Sequence, residues 1–328
     1  MAVIVKAQRL TKRYGQVLAV DNIDLEVFEG EIFGLLGPNG AGKTSTIRML
    51  TGQAVPSSGT ATVANFDIVN ASTKAKQQIG VVPDVSNVYE ELSAWQNLVF
   101  AARLYGVPKA EHEKRAKELL ELFGLYERRK DKVANFSRGM KRRLTLAAAL
   151  IHKPKLLFLD EPTTGLDVQS LRIIRALIKQ LNDEGVTVFL TTHYIEEADQ
   201  LCQRIAIINK GKIITVDNPE KLKASVEKRQ MIEVSFDVSH DLEGKLKKLS
   251  CVTDVSVVGD KCVLQVDEAS KAVPSIVDFS IKNNLKIVSI NTLRPSLEDA
   301  FIKLTGLSID TMRTEQELVP QKEAKQSD

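Results

Sequence analysis

The sequence predicts an α/β protein with a mixed, largely parallel sheet interrupted by a helical insertion, followed by a second, smaller α/β unit. Three observations predict it. Apolar strand-like runs alternate with helical patterns near the start of the chain and again over residues 155–191, the alternation that builds parallel sheets. Between about residues 90 and 151 strand signals vanish and helical periodicity takes over. After about residue 222 the texture changes to short strands and helices in the order β-α-β-β-α-β.

Residues 3–10, 16–27 and 31–36 are rich in Val, Ile and Leu and read as three strands; the third runs into a glycine cluster and then a helical pattern over 44–50. Residues 109–123 carry helical spacing inside the insertion. Strands at 155–160 and 186–191 flank a helix at 170–183. In the second unit a strand at 231–238 precedes a helix at 241–249. Strands at 252–258 and 262–266 then flank the turn residues Gly259 and Asp260. A helix at 271–282, a strand at 285–290 and a helix at 296–304 complete a split βαβ, ferredoxin-like order. The expected domains are therefore 1–225, with a helical subdomain at about 86–152, and 226–308. The polar tail 309–328 is expected to be disordered.

With 328 residues, both units can bury a core without disulfides or metals. The 43% hydrophobic and 27% charged content excludes collagen-like, mucin-like and wholly disordered chains. Lys and Arg total 45 against 42 Asp and Glu, and the resulting +3 is too weak a field to argue for nucleic acid. Cys202, Cys251 and Cys262 show no CxxC or metal spacing, which suits a reducing compartment and idle thiols. No stretch reaches the roughly 18 apolar residues of a membrane helix, so a membrane role is expected only through a partner.

Chemistry enters at Gly37-Pro38-Asn39-Gly40-Ala41-Gly42-Lys43-Thr44, which matches G-x-x-x-x-G-K-[ST] between a strand and a helix, with Ser45 next in line. The glycines let the backbone wrap phosphates with its amides inward, and the helix N-terminus adds positive potential. Lys43 suits the β and γ phosphates, and the Thr44 hydroxyl suits Mg²⁺. Further on, Leu156-Leu157-Phe158-Leu159-Asp160-Glu161 puts two acids at the end of an apolar strand. Asp160 can hold Mg²⁺ through water, and Glu161 can polarise a water for attack on the γ-phosphate.

In this order the motifs resemble the nucleotide-binding subunit of ATP-binding cassette (ABC) transporters over roughly residues 1–220, which implies a P-loop NTPase ABC cassette. Pro162-Thr163-Thr164-Gly165-Leu166-Asp167 looks like the family's D-loop, and His193, after Leu190-Thr191-Thr192, fits its switch histidine. The signature position reads Phe136-Ser137-Arg138-Gly139-Met140, departing from Leu-Ser-Gly-Gly-Gln at three of five places while keeping Ser137 and Gly139. Ser137 also suits the N-cap of the next helix. Arg138 and Met140, with Lys141, Arg142 and Arg143 behind them, resemble the drug-exporter-type, ABC-2 branch. The basic run 141–143 itself reads as a solvated helix face.

Tyr14 stands where the family stacks an aromatic on adenine. Asp84 stands where the family usually has Gln; it can offer oxygen to a metal but has no amide donor and brings a further negative charge. The resemblance implies ATP and Mg²⁺, and a homodimer in which each ATP lies between one subunit's phosphate loop and the other's signature. It also implies a separately encoded multi-span permease that brings the chain to the cytoplasmic face of the cell membrane, with no nucleic acid. Coupling to that permease is expected near Asp84 and residues 89–98, with Leu92, Trp95 and Leu98 as a groove wall. The ending Arg294-Pro295-Ser296-Leu297-Glu298 resembles that of drug-exporter-type ATPases, whose accessory domain dimerises or regulates. His112, His152 and His240 have no motif context. Rival readings are a DNA-repair or translation-associated ABC ATPase, or a regulatory nucleotide-binding module. The first usually separates its motifs by a long coiled coil, the second carries two cassettes, and intact Glu161 and His193 speak against the third.

Overall fold

The computed structural model describes residues 2–225, 230–237, 242–293 and 295–307. The expected tail at 309–328 and His240 lie outside them. The chain divides into two units, with residues 220–306 forming the second.

The first unit opens with an antiparallel hairpin of β1 (Val3–Tyr14) and β2 (Val17–Phe28). β1 outruns the expected strand because Lys12, Arg13 and Tyr14 pair across the hairpin and Thr11 pairs with Ser58 on the other side, despite a polarity that hides them from a hydrophobic pattern. Next come β3 (Ile32–Leu36), α1 (Lys43–Leu50), β4 (Ser58–Val63), β5 (Phe66–Asp67), α2 (Ser72–Gln77) and β6 (Ile79–Val82). The insertion supplies α3 (Ala94–Leu104), α4 (His112–Leu122) and α5 (Arg138–Ala149). The unit closes with β7 (Leu156–Asp160), α6 (Val168–Asp183), β8 (Thr187–Thr192), α7 (Ile195–Leu201), β9 (Arg204–Asn209) and β10 (Lys212–Asp217).

One sheet runs β2-β1-β4-β5; the other runs β10-β9-β3-β8-β7-β6, with β9, β3, β8, β7 and β6 parallel to one another. β3, β7 and β8 are buried along their whole length, as strands covered on both faces must be. Val5, Leu10, Ile23 and Val27 of the first sheet share a core with Phe33, Phe158 and Phe189 of the second and with Ile47 and Leu50 of α1. The Phe158 and Phe189 ring centroids lie 5.3 Å apart. In-register parallel pairing matters most here. Leu36 lies opposite Thr192, Asp160 opposite Thr191, and Val82 opposite Leu159, so the loops after β3, β8, β7 and β6 leave the sheet at one edge.

The second unit holds α8 (Pro219–Ala224, begun at the boundary), β11 (Gln230–Phe236), α9 (Glu243–Leu246), β12 (Val252–Val258), β13 (Lys261–Val266), α10 (Ala269–Lys282), β14 (Ile287–Leu293) and α11 (Leu297–Thr305). Its antiparallel sheet runs β12-β13-β11-β14, which counts as 4-1-3-2 read from β14, the ferredoxin-like order expected. α9 is a single turn, shorter than its sequence spacing suggests, because Gly244 weakens it and only Leu242 and Leu246 anchor it. Ile232, Val234, Leu264, Ile276 and Phe279 form this unit's own core.

Candidate functional site

The loop between β3 and α1 is shaped by its glycines. Gly42 sits at φ 105°, and a Cβ there would lie 2.5 Å from the Ala19 carbonyl oxygen, so only glycine lets the chain turn into α1. α1 then begins at Lys43 and Thr44. Lys43 is buried, and its Nζ donates to the carbonyls of Gly37 (2.9 Å) and Pro38 (3.0 Å) and lies 3.3 Å from Glu161 Oε1. Burial lowers the Lys43 ammonium's pKa, and the Glu161 carboxylate partly restores it.

Asp160 ends β7. Its Oδ1 accepts from the Thr191 hydroxyl at 2.5 Å and from Thr44 Oγ1 at 3.4 Å. Burial raises this carboxyl, with Asp84 and Glu161 adding repulsion against the two hydroxyl donors. Glu161 follows in the left-handed region at φ 47°, its N–H bonded to both the hydroxyl and the carbonyl of Thr191 (3.1 Å each). The conformation is costly for a residue with a Cβ and bends the chain off the strand. It brings Glu161 Oε2 to 3.1 Å from His193 Nδ1 and 3.1 Å from Thr164 Oγ1. Burial opposes the Glu161 charge, yet the His193 hydrogen bond, Lys43 and Thr164 bring its pKa down to about 2.

Thus Lys43, Thr44, Asp160, Glu161 and His193 meet in one cluster. The remaining expected residues stand elsewhere. Tyr14 is exposed at the end of β1 with Lys12 Nζ 5.0 Å from its ring centroid. Asp84 is exposed just past β6; its Oδ1 accepts from its own neighbour Val85 (2.8 Å), while its charge reaches Asp160. Ser137 caps α5 by accepting from Met140 N at 3.3 Å, and Gly139 abuts Ser170 of α6. Asp167 caps α6, taking both the N–H (2.8 Å) and the hydroxyl (2.9 Å) of Ser170.

Two expectations need correction. The run 141–143 is not a solvated face: Lys141 pairs with Glu90 at 2.5 Å, Arg143 donates to the Phe123 carbonyl, and Arg142 is 4% exposed. Of the expected groove wall, Leu98 is wholly buried and drops out, while Leu92 and Trp95 are half-buried. A cavity of about 150 Å³ does open beside the Asp84 loop, but Tyr89, Phe100, Leu104 and Tyr105 line it. Sequence reasoning also passed over Glu197, a fully buried carboxylate on α7 that accepts from Thr163 Oγ1 at 2.7 Å and so braces the loop behind Glu161. The signal for Arg142 was present. Gly139, Arg142, Leu146 and Ala149 recur at helical spacing and form the buried stripe of α5.

The family model described as ABC transporter matches residues 20–164, and a second, the C-terminal domain of DrrA1-3-like ATP-binding proteins, matches residues 218–305. The chain is 39% identical over 309 residues to the linearmycin resistance ATP-binding protein LnrL of Bacillus subtilis, covering 93% of this chain and 99% of that one. It belongs to the ABC transporter ATP-binding family. The Nod factor export ATP-binding protein I of Cupriavidus metallidurans is 39% identical over 93% of this chain and 98% of its own. The daunorubicin/doxorubicin resistance ATP-binding protein DrrA of Streptomyces peucetius is 36% identical over 95% of each chain. Among solved structures, the cbiO1 cassette of Clostridium perfringens superposes with a TM-score of 0.63 at 28% identity, covering 68% of this chain and 92% of that one. A dimeric cassette bound to ADP and phosphate gives 0.59 at 27% identity, covering 65% and 98%. The drug-exporter branch read from the signature position agrees with these relatives.

Proposed function

We propose that this cassette is the ATP-hydrolysing subunit of a membrane exporter, closing as two copies on ATP and driving a separately encoded multi-span permease. The observation that carries the reading is the meeting of Lys43, Thr44, Asp160, Glu161 and His193 at one edge of the parallel sheet. ATP phosphates compete with Glu161 for Lys43. Once that partner is exchanged, the Glu161 carboxylate loses the Lys43 ammonium and becomes a better acceptor for the proton of an attacking water. His193 then orients Glu161 from the far side and reports the γ-phosphate.

Mg²⁺ fits the oxygens present. The Thr44 hydroxyl and Asp160 carboxylate adjoin, and no cage of three or more His, Cys, Asp or Glu exists among the described residues, as suits an ion held by one or two protein oxygens and phosphates. When bound it neutralises phosphate charge. Asp84 is assigned an altered version of the usual Gln role beside it. Ser137, Gly139 and Asp167 serve the nucleotide of the second copy, and Tyr14 stacks on the adenine.

Relatives named for linearmycin and daunorubicin/doxorubicin resistance and for Nod factor export support the exporter direction, and the dimeric cassette supports pairing. No helix among the described residues is long and apolar enough to cross a membrane. The cavity lined by Tyr89, Phe100 and Tyr105 is our candidate seat for a short segment of the permease. Purification from the native host in mild detergent should bring a multi-span subunit with the chain; a ribosome or DNA companion would overturn the choice. Glu161→Gln should retain an ATP-bound dimer and lower turnover by orders of magnitude.

A further inference from the structure

Arg142 is a buried charge, 4% exposed, that the nucleotide cluster leaves without a role. Its guanidinium reaches two separate loops. Nε donates to the Pro162 carbonyl at 2.8 Å, and Nη2 donates to the carbonyls of Asp160 (2.9 Å) and Glu161 (2.8 Å). Nη1 donates to the carbonyls of Pro83 and Asp84, the latter at 3.3 Å. Only a planar fork with five N–H donors can serve both loops at once; an ammonium on a flexible stem offers three and one point of charge.

The position of those carbonyls is the telling fact. Glu161 is in the left-handed region, a conformation that persists only where the surroundings over-determine it. Arg142 grips the carbonyls on either side of the Glu161 Cα, those of Asp160 and Glu161 itself, and so holds the turn that aims the carboxylate. Around the guanidinium stand the carboxylates of Asp84, Asp160, Glu197 and Glu161, which keep it charged against burial. Arg142 also sits in α5, the helix that Ser137 caps, so the same side chain joins the signature helix to both loops.

We propose that Arg142 is a positioning residue for hydrolysis: it fixes the backbone turn at Glu161 and links it, through α5, to the Asp84 loop and the signature position. Displacement of the signature helix then changes the aim of the hydrolytic carboxylate. This rests on the ATPase reading above.

The test compares the full chain as wild type, Arg142→Lys, Glu161→Gln and the double variant, with steady-state ATP turnover, titration of a fluorescent ATP analogue, and thermal melting. Arg142→Lys should bind nucleotide within about threefold of wild type while kcat falls about 100-fold, the scale of a displaced catalytic group. In the Glu161→Gln background the same substitution should change turnover by less than about threefold, because the group it aims is already gone. Should the lysine variant not fold, Arg142→Gln is read by the same thresholds. A kcat within about threefold of wild type, a loss shared equally by binding and melting temperature, or a loss that multiplies in the double variant would overturn the proposal. Absence of ATP turnover by the wild-type chain would overturn the ATPase reading itself, whereas wild-type turnover that survives Glu161→Gln would remove the carboxylate that Arg142 is proposed to aim and so overturn the proposal.

Discussion

Without nucleotide, Glu161 stabilises the cassette, and the size of that effect depends on pH. Burial opposes its charge, but His193, Lys43 and Thr164 hold the carboxyl at about 2 against an ordinary 4.5. Folding therefore favours the ionised form. The stabilisation is fully present above pH 4.5 and is lost as pH falls toward 2. A difference of about 2.5 at roughly 1.4 kcal/mol per pH unit is worth about 3 kcal/mol at pH 7, and about 1.4 kcal/mol of it survives at pH 3. Glu31, Asp160 and Glu197 move the other way, because burial raises theirs, so wild type is compared with Glu161→Gln at each pH to cancel them. Urea unfolding followed by the fluorescence of Trp95, the one tryptophan, reads the cassette alone. The expected stability gap is about 3 kcal/mol at pH 7, narrowing to about 1.4 kcal/mol at pH 3. A gap that is equal at the two pH values, or below about 1 kcal/mol at pH 7, refutes the Lys43–Glu161–His193 account.

Tyr14→Ala should weaken binding of a fluorescent ATP analogue by about 5- to 100-fold, the worth of base–aromatic stacking, while Tyr14→Phe should leave it unchanged; equal affinities for all three chains would remove Tyr14 from the site. Gly139→Ala puts a Cβ 2.3 Å from Ser170 Oγ and must force α5 away from α6, for a loss of about 1–3 kcal/mol in urea unfolding. Adding Ser170→Gly, which clears the facing side chain, should recover part of that loss, and no recovery would show that the contact is not the cause.

Much of the fold was legible because its signals are local. The buried strands β3, β7 and β8 are short apolar runs, and the glycines of 37–42 announce the loop that follows the first of them. The site's main residues were legible for the same reason: Lys43 and Thr44 sit in a spaced motif, and Asp160 and Glu161 mark the end of an apolar run. Legibility failed where polarity and burial part company. Thr11 to Tyr14 are polar yet paired in a sheet, and α9 stops after one turn because a glycine and two anchors cannot carry more. Arg142 was misread because a run of three charges looks like a solvated face, although its place in the α5 stripe contradicted that reading.

By itself the sequence determined which chemistry is present: a phosphate loop, a carboxylate pair at a strand end, a histidine after a further strand, and a ferredoxin-like unit after them. Those follow from residue type and spacing along the chain. Only the tertiary structure decided which groups touch. Parallel, in-register pairing of β3, β8, β7 and β6 brings four distant loops to one edge, where Glu161 is caught between Lys43 and His193. The reach of Arg142 from α5 to the carbonyls around Glu161 and Asp84 is likewise a product of packing. Its acceptors are main-chain oxygens, which every residue carries and no sequence pattern distinguishes.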